Sequence, residues 1–197
     1  MAIPRIGEPA RAFRLPSAAG AEIALDDFKS HSPVVLWFTK GMACPFCRQQ
    51  MSQLARGYPR IKEHGAEVLE VTSSTLDRAR FYARRFSLPF PYLCDPDYRV
   101  RAAWGLEKRA HGLGYYAKSL AAGMKTDPPP NDFGAFKPSL GEFPQVLADD
   151  DMGLFIVDRA GVVRYALAGS YLHEAGVRGI PGPDEIIREL ERCASVA

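Results

Sequence analysis

The densest apolar run in the chain is Val34-Val-Leu-Trp-Phe-Thr39, opened by Pro33, and it has the unbroken β-branched and aromatic character of a strand covered on both faces. It is placed at the centre of a sheet. After Cys44 the pattern changes period: Cys47, Met51, Leu54, Tyr58 and Ile61 recur at spacings of four, three, four and three, one stripe of an amphipathic helix. Gly57 and Pro59 predict a kink in that helix, and Gly65 predicts its end. Ala66 to Thr72 is a second strand. Ser74-Thr-Leu-Asp77 resembles a capping box opening a helix with its seam at Leu76, Ala79, Ala83 and Phe86.

Upstream, Ile6 to Leu15, Gly20 and Ile23-Ala-Leu25 read as an entry loop and two short strands joined by a turn, an N-terminal hairpin. Downstream, Pro91 to Cys94 is extended, and Asp95-Pro96 has the form of an N-cap and first helical residue for a short helix reaching Trp104, with Val100 and Trp104 facing the core. From 105 to 151 the chain is irregular, with six glycines and the run Pro128-Pro-Pro130. This segment reads as an insertion holding short helices at 115–122 and 139–148 around an extended linker. Leu154 to Asp158 and Val162 to Leu167 flank a Gly161 turn as a final hairpin. A closing helix starts at Pro183, with its seam at Ile186, Ile187, Leu190 and Cys193. No internal repeat is visible. Strands alternating with helices predict an α/β layered domain.

Composition narrows the picture without choosing a function. The chain has 197 residues, 47% apolar and 24% charged, which suits one domain spanning 1–197 with an insertion at about 105–151. A chain of this size buries roughly 70% of its unfolded surface, so it does not need metals or disulfides to stay folded. Its 25 basic and 23 acidic residues are scattered, which argues against a nucleic-acid partner. The first twenty residues hold no unbroken apolar run and Val34 to Phe38 is too short to span a bilayer, so no membrane association and a cytoplasmic location are expected.

Four cysteines, at 44, 47, 94 and 193, form one close pair and two isolated residues. That is not the framework of a secreted disulfide protein. The close pair lies in Gly41-Met-Ala-Cys-Pro-Phe-Cys-Arg48. Cys44 before Pro45 at a helix start would place its sulfur among unpaired amides and the positive end of the helix dipole, favouring thiolate. Cys47, one turn inside, lies on the same face, close enough to attack a sulfur bound to Cys44. Phe46 would shield the pair, and Arg48 supplies a cation that either lowers the thiol pKa or is merely solvated. Zinc binding and inert burial remain the alternatives for the pair, but no second pair stands at metal spacing and His31, His64, His111 and His173 lie far apart. Cys94 and Cys193 read as small buried hydrophobes. No cofactor or metal is expected.

From Ile6-Gly-Glu-Pro through Val34-Val-Leu, Ala66-Glu-Val-Leu, Leu93-Cys-Asp-Pro-Asp and Gly153-Leu-Phe-Ile-Val-Asp158 to Gly161-Val-Val-Arg164, the chain resembles the peroxiredoxin and redoxin families of the thioredoxin superfamily. The resemblance implies a thioredoxin-like fold, a central mixed sheet flanked by helices. It also implies that Cys44 is a peroxidatic nucleophile that becomes a sulfenic acid, and Cys47 fits the resolving role. Typical members carry Thr or Ser three residues before that cysteine and Pro seven before it, where this chain has Gly41 and Trp37. The arginine they carry before the Gly-Leu-Phe-Ile strand is Met152 here; Thr39, Lys40 and Arg48 are the candidate substitutes. The Cys-x-x-Cys pair itself looks like thioredoxin, whose facing proline is absent at Met152-Gly153. The pattern is closest to peroxiredoxin-like proteins with a Cys-x-x-Cys site.

Three functions follow as expectations. The first is a thiol-dependent peroxidase reducing hydrogen peroxide or organic hydroperoxides, regenerated by a thioredoxin- or glutathione-type reductant. The second is a protein disulfide reductase. The third is a non-catalytic redox-sensing or binding module whose dithiol switches a surface formed by the insertion. The insertion could instead be a packing cover or a homodimer contact.

Overall fold

A computed structural model describes residues 1–109, 131–134, 136–137, 139–142, 149–170, 172–173, 176–177 and 179–194. The opening hairpin pairs β1 (Arg14–Pro16) with β2 (Glu22–Ala24) antiparallel, as the sequence pattern predicts. The apolar run forms β3 (Val34–Thr39), every residue of it buried. Helix α1 (Pro45–Glu63) follows, then β4 (Glu67–Thr72), α2 (Leu76–Phe86), β5 (Tyr92–Cys94) and α3 (Arg99–Ala103). The short β6 (Lys108–Arg109) leads to β7 (Asp149–Val157) and β8 (Val163–Ser170). Two two-residue strands, β9 (Leu172–His173) and β10 (Gly176–Val177), pair with each other before α4 (Pro183–Ala194).

The main sheet runs β5-β4-β3-β7-β8, and β6 pairs with the first residues of β7. Strands β3, β4 and β5 are parallel, whereas β7 is antiparallel to both β3 and β8, so the sheet is mixed. Register divides the core in two. Val35, Trp37, Val68, Tyr92, Leu154 and Ile156 face α1, α2 and α4. Leu36, Phe38, Leu69, Val71, Leu93 and Phe155 face the other way, under Leu15 of the hairpin and Trp104 after α3. Among the described residues no helix is long and apolar enough to cross a membrane.

Helix α1 spans Gly57 and Pro59 as one segment, and Gly57 is the point where Pro183 of α4 docks, since a Cβ there would lie 2.3 Å from the proline ring. Several local expectations are corrected. The capping box at Ser74 is not formed: Thr75 is the N-cap without a side-chain bond, and the Ser74 amide donates instead to the Thr72 hydroxyl. On α2 the buried seam is Ala79, Tyr82 and Phe86, with Ala83 only half-buried. Asp95-Pro96 forms a turn rather than the first helical residues, yet the Asp95 carboxylate still caps α3 by accepting from the Val100 and Arg101 amides at 3.2 and 2.9 Å. Trp104 is fully buried as expected.

Within 105–151, residues 140–142 form a single 3-10 turn where a helix over 139–148 is expected; 143–148, the helix expected at 115–122 and the proline run at 128–130 lie outside the described residues. Phe133 and Phe136 pack on Phe86 and Tyr82 of α2, and Glu142 is bonded by Arg78 and Tyr82, so the described part covers the α2 face of the core.

Candidate functional site

The crossover from β3 to α1 builds the site. Thr39, at the end of the central strand, accepts on its hydroxyl from the Gly41 amide at 3.2 Å. Gly41 has φ +91°, and a Cβ there would meet the Thr72 hydroxyl at 2.3 Å and the Tyr92 hydroxyl at 2.6 Å. Only glycine meets both demands. The residue standing where related chains carry Thr or Ser is therefore fixed by a cluster of hydroxyls from β4 and β5 beneath it. Tyr92 in turn accepts from the Met42 amide at 3.2 Å, which ties the loop to the sheet.

Cys44 is the N-cap of α1, and its sulfur accepts from the Cys47 amide at 3.4 Å. Pro45 follows as the first helical residue, exposed, and costs no hydrogen bond there. Burial pushes the Cys44 thiol up, but the Cys47 thiol hydrogen bond, the Lys40 charge and the backbone amides of Cys47 and Phe46 outweigh it and bring the pKa down to about 7. Cys44 is 4% exposed and Cys47 0%, so an incoming reactant meets Cys44 first.

Cys44, Cys47 and Met152 form one apolar cluster, with Phe46 and Ile180 against it. Met152, which stands where the sequence resemblance implies an arginine, thus reaches the dithiol but brings no charge. Two cations stand near the pair instead, Lys40 in the loop, whose charge lowers the Cys44 thiol, and Arg48 on α1. Arg48 is 4% exposed, donates to the Met42 carbonyl at 2.7 Å and the Phe136 carbonyl at 3.5 Å, and interacts with both cysteine sulfurs. It is not a solvated surface charge: desolvation lowers its pKa, opposed by the field of Cys44 and Cys47. Lys40 is buried as well.

The structure brings Thr39, Lys40, Gly41, Pro45, Phe46 and Arg48 into the loop and first turn around Cys44 and Cys47. Cys94 lies apart, buried at the end of β5, its thiol pushed up to about 11 by burial. Cys193 is half-buried on α4 and its thiol is also raised by burial. Among the described residues no group of three or more His, Cys, Asp and Glu side chains is placed to hold a metal ion. Sequence reasoning missed Met152 as a wall of the site and Glu70 beneath it. The signal for Glu70 was a carboxylate set between Val68-Leu69 and Val71 in the middle of the predicted strand.

A mixed sheet with α1 and α2 on one face, carrying a dithiol at the start of the helix after the central strand, defines a thioredoxin-like fold. The chain belongs to the AhpC/TSA family, whose profile matches residues 6–166. It is 30% identical over 100 residues to a chloroplastic peroxiredoxin Q of Sedum lineare, an alignment covering 51% of this chain and 53% of the relative. The chain thus spans about half the length of the curated relatives it matches first. Among solved structures it superposes on the peroxidoxin BcpB of Mycobacterium tuberculosis with TM-score 0.63 at 17% identity, covering 98% of this chain and 99% of that one. A yeast mitochondrial 1-Cys peroxiredoxin, described with a thiol resolving mechanism via glutathione and thioredoxin systems, gives TM-score 0.64 at 15% identity over 98% and 78% of the two chains. At these identities the two structures speak for the fold.

Proposed function

We propose that the protein is a thiol-dependent peroxidase in which Cys44 attacks and Cys47 resolves. The carrying observation is the Cys44 sulfur, capped by the Cys47 amide and held at a pKa of about 7. The Cys44 thiolate attacks the terminal oxygen of a peroxide, the O–O bond breaks, and water or an alcohol leaves while the sulfur becomes a sulfenic acid. The Cys47 thiol then attacks that sulfur, the S–O bond breaks, water leaves, and a Cys44–Cys47 disulfide forms. A thioredoxin-type dithiol returns the pair to the reduced state. Arg48, in the field of both sulfurs, favours the anionic Cys44. The family membership supports peroxide as the oxidant.

The test is peroxide consumption with a dithiol reductant by wild type, Cys44→Ser and Cys47→Ser. Cys44→Ser is expected to lose at least about a thousandfold of the rate, the scale set by removing a covalent nucleophile. Cys47→Ser should complete one turnover and stall as sulfenic acid, visible by mass. Equal rates for wild type and Cys44→Ser would sink the proposal. Reduction of a model protein disulfide without peroxide consumption would put the disulfide reductase in its place.

A further inference from the structure

We propose that Tyr92 is a positioning residue for Cys44: its hydroxyl fixes Met42, and through the Met42 carbonyl it fixes where the Arg48 guanidinium stands beside the dithiol. The inference rests on the reading of Cys44 as the attacking thiolate.

Tyr92 lies on β5, two strands across the sheet from β3, and its hydroxyl reaches the loop between β3 and α1. That hydroxyl accepts from the Met42 amide at 3.2 Å and lies 2.6 Å from where a Cβ on Gly41 would stand, so it fills the space beneath these two residues. The Thr72 and Ser74 hydroxyls are bonded to it in turn, and to each other at 3.1 Å. All three side chains are buried. A buried hydroxyl held from several sides is fixed more firmly than one bond would fix it.

Met42 carries that position to the cation. Its side chain is sealed in the core layer under α1. Its amide is taken from the sheet side by Tyr92, and its carbonyl from the helix side by Arg48 Nη1 at 2.7 Å. The bond from Arg48 to the Phe136 carbonyl is longer, at 3.5 Å, so Met42 is the closer anchor of the guanidinium. The Gly41 carbonyl, one residue earlier, accepts from the Cys44 amide at 3.2 Å. A shift at Met42 therefore reaches both the cation and the turn that presents the thiolate.

Tyr92 acts by place and not by charge. Burial first, and the Glu70 carboxyl beside it on β4 second, hold its pKa well above the ordinary range of a phenol, so it is neutral wherever Cys44 titrates. Removing the hydroxyl in Tyr92→Phe takes no charge from the molecule. The charged and titratable groups about Cys44 are Lys40 from the loop and Cys47 and Arg48 from α1, while β7 brings the uncharged Met152. Arg48, through its bond to the Met42 carbonyl, is the member of this set that Tyr92 controls. Without the hydroxyl the buried Met42 amide loses its acceptor, and the peptide turns to find another. That movement loosens Arg48 and withdraws its charge from the sulfur.

The experiment follows iodoacetamide alkylation of Cys44, assigned by mass, against pH in wild type, Tyr92→Phe, Arg48→Met and the double variant. This readout needs no peroxide. Tyr92→Phe is expected to raise the midpoint by about half to one pH unit, which at pH 7 lowers the thiolate fraction, and the single-turnover rate with peroxide, about two- to fivefold. The rates should converge near about pH 10, where both proteins carry the thiolate. In the Arg48→Met background Tyr92→Phe should add less than about a third of its shift, as expected of two residues acting in one line. Thr72→Val takes one partner from the Tyr92 hydroxyl while keeping the shape of the strand; it should move the midpoint the same way, and it stands in for Tyr92→Phe if that variant does not fold. A lowered melting temperature with an unmoved midpoint makes Tyr92 a structural tether and overturns the proposal. So does a Tyr92→Phe shift that survives in full without Arg48. Either result leaves the peroxidase reading standing; that reading falls instead if wild type, with its Cys44 midpoint at about 7, consumes no peroxide.

Discussion

At the scale of the residue, Cys44 is the test of how the site sets its own chemistry. Its pKa of about 7 predicts that iodoacetamide alkylation of the reduced protein rises sigmoidally with a midpoint there, well below the 9.0 of an ordinary thiol. Lys40→Met removes a favourable charge, so the midpoint should move upward and the rate at pH 7 should fall about two- to fivefold. Stability follows the same linkage. An acid whose pKa is depressed by folding adds stability that is fully present above the unfolded value of 9.0 and is lost as the pH falls through about 7. Urea midpoints of wild type and Cys44→Ser between pH 6 and 9 would show the two converging at the acid end.

The pair itself was legible at this scale, because Cys-Pro-Phe-Cys after an apolar strand states both position and helix phase. Its surroundings were not. Nothing local marks Gly41 as a residue hemmed in by Thr72 and Tyr92, since those hydroxyls arrive from strands 31 and 51 positions away. Arg48 could be read as solvated because the Phe136 carbonyl that helps to bury it lies 88 residues downstream.

At the scale of the element, the stripe from Cys47 to Ile61 predicted α1 well, but the packing role of Gly57 within it was not visible. Intrinsic propensity would make Gly57→Ala stabilising by about 1 kcal/mol. The structure reverses that sign: a Cβ at 57 would sit 2.3 Å from the Pro183 ring at the start of α4, and a ring closed on its own backbone cannot swing aside. The expected net outcome is a loss of about 1–3 kcal/mol in urea unfolding, the cost of overpacking a tight contact. A gain would show that α4 shifts freely on α1. Glycine at this position is a packing requirement between two helices more than a hundred residues apart, so no window of sequence could reveal it. The failed capping box at Ser74 has a similar origin, with the hydroxyl of Thr72 taking the Ser74 amide and the helix starting one residue later.

At the scale of the whole molecule, the question is what holds the site loop where β3 and β7 part. Their ladder ends at Phe38 and Gly153, and just beyond it the carbonyls of Thr39 and Asp151 accept from the two terminal nitrogens of Arg101 at 2.7 and 2.6 Å. That guanidinium is almost fully buried, with Phe38 and Tyr98 rings 5.9 and 5.7 Å from its carbon, and its backbone amide is held by Asp95. A helix on one face thus clamps two strands just before the loop that presents Cys44. The sequence showed the strands and the Asp95 cap, but a buried arginine between strand ends is a product of tertiary closure and carries no periodic signal. Arg101→Met keeps much of the volume and takes the guanidinium donors away from two carbonyls and a buried site, which should cost about 2–5 kcal/mol in urea unfolding. Because Thr39 leads directly into Lys40 and Gly41, the same variant should also slow oxidation of Cys44 by peroxide in single turnover, under conditions where the protein remains folded. Loss of stability with an unchanged Cys44 rate would confine Arg101 to the scaffold; slowing of both would make the clamp part of how the fold positions its thiolate.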